Sequence, residues 1–136
     1  MPWLTLSDAD IFYEVRGAGP ALVFAHGLGG CHASWWQQVG HFADRYTCVT
    51  FSHRGFAPSR DRGGAGAPAF VDDLAALVEH LGLAQVRLVA QSMGGWTCLG
   101  YALRWPAPVR GLVLACTTGP VTTPEIDATF PAMASR

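Results

Sequence analysis

One stretch limits what this chain can become: Val86-Arg-Leu-Val-Ala-Gln-Ser92-Met-Gly-Gly-Trp96. An apolar run stops at a Ser, and a helix-like segment follows with no loop between them. Small residues stand two positions before the Ser (Ala90) and two after it (Gly94). The pattern fits a strand that turns sharply into a helix, with the Ser at the apex. Such a turn strains the Ser backbone. The spacing implies that positions 90 and 94 face each other across it, where bulky side chains would clash.

The rest of the chain alternates around that stretch. Residues 3–6 and 11–15 are β-prone runs separated by Ser7-Asp-Ala-Asp10, the composition of a hairpin turn. Residues 21–25 form a continuous apolar run, as in a strand covered on both faces. Further strands are expected over 46–51, 86–90 and 109–115. Helices are expected over 35–43, capped by Ser34, over 69–81, and over 93–104, stopped by Trp105-Pro106. In 69–81 the residues Phe70, Leu74, Leu77, Val78 and Leu81 make one apolar stripe, while Asp72, Asp73, Glu79 and His80 lie off it. Residues 61–68, rich in Gly and Ala, read as a flexible surface loop. Alternating strands and helices build an α/β domain: a mostly parallel sheet with helices on both faces. Its ligands sit beyond the carboxyl ends of the strands. The loops at 26–30, 52–59 and 91–94 each follow a strand and should open on that one edge.

Composition narrows the partners. Half of the 136 residues are hydrophobic and 14% are charged, below the roughly 25% usual for soluble domains. That balance suits a buried sheet. The net charge of −1 offers no basic face for nucleic acid. No apolar run reaches the ~18 residues of a membrane span, and the first residues lack a signal peptide's pattern. The expected setting is therefore the cytoplasm, without membrane contact. Cys31, Cys48, Cys98 and Cys116 are widely spaced with no C-x-x-C pair, and read as reduced, buried thiols. No metal or cofactor is expected.

Taken together, four segments resemble the N-terminal half of the α/β-hydrolase fold superfamily. His26-Gly27-Leu28-Gly29-Gly30 is similar to the family's oxyanion loop. Arg54-Gly55-Phe56-Ala57-Pro58-Ser59 resembles its Arg-Gly-x-Gly-x-Ser loop, with Ala57 where Gly is usual. Ala90-Gln-Ser92-Met-Gly94 resembles its nucleophile elbow, and Val109-Arg-Gly-Leu-Val-Leu114 its sixth strand. The match covers residues 3–118. It implies Ser92 as nucleophile and the backbone N–H groups of Leu28 and Met93 as oxyanion donors. It also implies a small-molecule ester- or lactone-like substrate; the nearest flavour is the esterase, enol-lactonase and C–C hydrolase group. His26 is a loop brace in such enzymes, with a lesser claim on substrate. Trp35, Trp36 and Trp96 line a substrate pocket or pack the core, and Arg54 serves an ion pair.

The same resemblance exposes a gap. The family order is Ser, then acid, then His. All five histidines here, at 26, 32, 41, 53 and 80, precede Ser92. Glu125 and Asp127 are the only carboxylates after the sixth strand, in a Thr/Pro-rich stretch that reads as the start of a lid. The expectation is thus an incomplete fold of about six N-terminal strands: a domain part over 1–118, a poorly ordered lid or linker over 119–136, and little activity in isolation. The last strand is expected to be a bare apolar edge that invites self-association. The alternatives are a C–C bond hydrolase or perhydrolase of the same fold, or a non-catalytic half-domain completed by a partner chain.

Overall fold

The computed structural model describes residues 2–117, 119 and 124–129. In chain order the elements are β1 (Trp3–Thr5), β2 (Ala9–Arg16), β3 (Ala21–Ala25), a 3-10 turn (His32–Trp35) leading into α1 (Trp36–Phe42), β4 (Thr47–Phe51) and β5 (Arg60–Asp61). Then follow a 3-10 turn (Ala67–Ala69) leading into α2 (Phe70–His80), β6 (Val86–Gln91), α3 (Gly94–Arg104), β7 (Val109–Ala115) and α4 (Pro124–Thr129). The sheet runs β1-β2-β4-β3-β6-β7, with β5 paired to β2. β4, β3, β6 and β7 are mutually parallel, and β1, β2 and β5 join antiparallel at one end.

β3 shows why an unbroken apolar run suits the centre of this sheet. Successive side chains of a strand point to opposite faces. Ala21, Val23 and Ala25 enter the larger core, beneath Leu74, Leu77 and Val78 of α2 and Cys98 and Tyr101 of α3. Leu22 and Phe24 enter the smaller core on the other face, with Trp35, Val39 and Phe42. Helices therefore cover both faces, as the alternation implied. At the far end lies β7, with Val113 55% and Leu114 40% exposed. Among the described residues no helix is long and apolar enough to cross a membrane.

Three local expectations are corrected. The 35–43 helix begins as a 3-10 turn capped at Cys31; Ser34 lies inside that turn, its Oγ accepting the Cys31 N–H at 3.1 Å. The 61–68 loop is tied down. Arg60–Asp61 pairs with β2, a seventh strand too short for periodicity to register, and the Asp61 carboxylate accepts the N–H groups of Gly64, Ala65 and Gly66. Asp73, off the apolar stripe of α2, is nonetheless buried. The stretch after residue 118 includes the short helix α4; the rest of the proposed lid, 120–123 and 130–136, lies outside the described residues.

Candidate active site

Register brings the three loops to one edge. Ala25 pairs with both Phe51 and Ala90, and Ala90 with Leu114. The residues that follow these pairs therefore leave the sheet at one level. Gly27 packs against the turn after β6: a Cβ added there would stand 3.3 Å from Ser92 Cβ.

Ser92 has φ of +49°, a left-handed conformation that costs an L-residue about 1–2 kcal/mol. The surroundings hold it there. The Ser92 N–H donates to the Ala115 carbonyl of β7 at 2.9 Å, and the Ser92 carbonyl accepts the Gly95 N–H at 2.9 Å. The small residues after it have a different cause from the one spacing implied. A methyl on Gly94 would overlap the Ala25 carbonyl of β3, not Ala90, and one on Gly95 would overlap Thr117. Strain kept in place by such contacts is a common mark of a functional site. The Ser92 side is exposed, and its hydroxyl forms no hydrogen bond with any described residue. The backbone N–H groups of Leu28 and Met93 likewise donate to no described protein group.

The histidines are occupied elsewhere. His26 and His53 are fully buried. His26 Nδ1 lies 2.8 Å from the Gly27 carbonyl, and its Nε2 lies 3.0 Å from the His53 backbone N and 3.1 Å from His53 Nδ1. His53 Nε2 lies 2.7 Å from Thr97 Oγ1 on α3. Phe51, Phe56 and Phe70 enclose the pair. Burial holds the His53 ring well below the ordinary imidazole range, and the adjacent His26 adds to this. Burial lowers His26 too, against the pull of the Gly27 carbonyl. His26 thus has both ring nitrogens bonded inside the protein, one to its own loop at Gly27. His32 bonds Ser52, His80 bonds the Tyr13 hydroxyl, and His41 packs on Phe42. None of the five bonds Ser92.

Arg54 is the other organising residue. It is 3% exposed and donates from Nε and Nη2 to both oxygens of Asp73, at 2.7 Å each. It also reaches Asp8 at 2.8 Å and Asp61 at 3.3 Å. Its pKa is driven further up, first by the bond to Asp73. One guanidinium thus ties the β4 loop to α2, to the β1–β2 turn and to β5. Five donors in a rigid fork make this possible. Spacing points to none of these three partners; Asp8 and Asp73 come from distant parts of the chain, and Asp61 lies seven residues on.

Trp35 is buried against Phe24, Trp36 is 71% exposed on α1, and Trp96 is half-buried in the first turn of α3. Glu125 is exposed on α4; the side chain of Asp127 lies outside the description. Among the described residues no group of three or more His, Cys, Asp or Glu is placed to hold a metal ion.

A family model described as the alpha/beta hydrolase fold matches residues 20–136. A candidate carbamate hydrolase, RutD of Azorhizobium caulinodans, is 30% identical over 115 residues, 84% of this chain and 43% of that protein. The 3-oxoadipate enol-lactonase 2 of Acinetobacter baylyi is 31% identical over 124 residues, 87% of this chain and 45% of that protein. A thermophilic esterase from Thermogutta terrifontis superposes with a TM-score of 0.78 at 29% identity, covering 89% of this chain and 45% of the esterase. The chain therefore spans less than half the length of these relatives.

Proposed function

The chain belongs to the alpha/beta hydrolase fold family, and from that premise we propose that it carries the nucleophile and oxyanion hole of a serine hydrolase acting on carboxylic ester, lactone or related acyl bonds. The carrying observation is Ser92, an exposed Ser held at φ +49° with an uncommitted hydroxyl. In this reading Ser92 Oγ attacks the acyl carbon. The charge that develops on the carbonyl oxygen is received by the N–H groups of Leu28 and Met93. Donors not already spent on the protein are what such a step requires, because they can tighten as the charge forms. The enol-lactonase and esterase names of two similar proteins are consistent with attack at an acyl carbon.

A Ser hydroxyl needs a base to become a good nucleophile. No histidine of these 136 residues bonds Ser92, and none of the five is assigned here as its base. The 136-residue chain by itself should show no more than trace turnover. Residues 119–136 are assigned to the approach to a lid, and the exposed β7 to an edge that takes up further protein.

The test is incubation of the natural gene product with a fluorophosphonate and with short-chain acyl esters. Hydrolysis together with a single adduct on Ser92 supports the reading. A folded protein that hydrolyses esters with Ser92 replaced by Ala overturns it. A panel including C–C bond substrates and peroxide separates the same-fold alternatives.

A further inference from the structure

The Gly27–Leu28 peptide joins the buried histidines to the proposed oxyanion site. It is a trans peptide, so its C=O and N–H point to opposite sides. The Gly27 carbonyl is held from the protein side by His26 Nδ1 at 2.8 Å and by the Gly30 N–H at 3.0 Å. The Leu28 N–H is thereby turned the other way.

Proton positions in this cluster follow from donor and acceptor rules alone. The His53 backbone N–H can only donate, so His26 Nε2 is the lone pair and Nδ1 carries the proton. His53 Nδ1 faces the same lone pair at 3.1 Å, so it too carries its proton. His53 Nε2 is then proton-free and accepts the Thr97 hydroxyl at 2.7 Å. The donors run in one direction: Thr97 to His53, His53 to His26, His26 to the Gly27 carbonyl.

We propose that His53 and Thr97 are positioning residues, which by fixing the direction of this relay hold the Gly27–Leu28 peptide with its N–H toward the reacting oxygen. The proposal rests on the oxyanion role given to Leu28 above. Thr97 matters because of what its loss permits. Without the hydroxyl, His53 Nε2 is a buried acceptor with no donor. Moving the proton to Nε2 would set two ring lone pairs against each other across 3.1 Å. Either state loosens His26 and, through it, the carbonyl that sets the donor's direction. Thr97 sits on α3, the helix that begins just after Ser92, so the relay also ties the two proposed donors to one scaffold.

The test uses the ¹⁵N-labelled full chain and the variants Thr97→Val and Thr97→Ser. Long-range ¹H–¹⁵N spectra should show Nδ1–H tautomers for His26 and His53 in the wild type and in Thr97→Ser. In Thr97→Val the Leu28 amide resonance should shift, and hydrogen exchange of the Gly30 amide, which donates to the Gly27 carbonyl at 3.0 Å, should speed about fivefold, the factor that corresponds to one hydrogen bond's net worth. Thr97→Ser should leave both unchanged. A proton on His26 Nε2 in the wild type overturns the proposal, and this holds even where Thr97→Val fails to fold. A Leu28 amide unmoved in folded Thr97→Val overturns it as well. Relay signatures as expected, in a protein whose Ser92 takes no fluorophosphonate, overturn the hydrolase reading alone.

Discussion

Replacing Ser92 by Ala and by Gly separates the hydroxyl from the backbone it sits on. Both variants lose the proposed nucleophile. They differ only in a Cβ at φ +49°, where an L-residue pays about 1–2 kcal/mol and Gly pays nothing. Against this, Gly makes the unfolded chain more flexible, at a cost of about 0.4–1 kcal/mol. The difference leaves Ser92→Gly more stable than Ser92→Ala by about 0.8 kcal/mol, with ~0 and ~1.6 kcal/mol as the bounds. Ser92 is exposed, so removing the Cβ carries little packing loss. Urea unfolding followed by Trp fluorescence is the assay. With a slope of about 2 kcal/mol per molar, the expected gain is a midpoint ~0.4 M higher for Ser92→Gly. If Ser92→Gly instead unfolds at least 0.25 M earlier than Ser92→Ala, about 0.5 kcal/mol the wrong way, the strained-turn argument is refuted.

Other perturbations bear on the supports of the site. Arg54→Met leaves Asp73, 4% exposed, as a buried unpaired charge and should cost about 3–5 kcal/mol by urea unfolding; Arg54→Lys should recover little, since one ammonium cannot bridge Asp73 and Asp8. Stability should fall as pH drops below the ordinary histidine value of 6.5. The buried rings stay neutral when folded but take up protons when unfolded, so the unfolded state binds more protons in that window. A second loss should follow below about pH 4, where Asp8 and Asp10, held low by Arg54 and Arg62, lose their charge; a urea midpoint flat from pH 7.5 to 5.5 would contradict the first effect. Val113→Lys, on the open β7 edge beside an apolar groove of about 290 Å³ lined by Leu22, Phe24, Phe42 and Val89, should lower self-association seen by sedimentation.

Sequence reasoning reached the parts of this fold that repeat or punctuate. The all-apolar β3, the stripe of α2 and the Gly-rich loops carry periods and breakers that local physics reads directly, and they sufficed for the sheet, the helices on both faces and the edge where the loops gather. What escaped depends on contacts between distant residues. Asp73 looked solvated because α2 periodicity says nothing of Arg54 arriving from the β4 loop. β5 is two residues long, too short for any period. Spacing pairs Gly94 with Ala90 across the turn, whereas the close approach comes from Ala25 on β3, a neighbour only in three dimensions. The His26–His53–Thr97 relay joins the loops after β3 and β4 to α3, and nothing in the spacing of those residues points to it.

The most direct test of the central claim is covalent labelling of the natural gene product by a fluorophosphonate, read by peptide mass spectrometry. One adduct, on Ser92, absent from Ser92→Ala and suppressed by a competing acyl ester, is the predicted result. A folded, ester-hydrolysing protein whose adduct lies on another residue would contradict it.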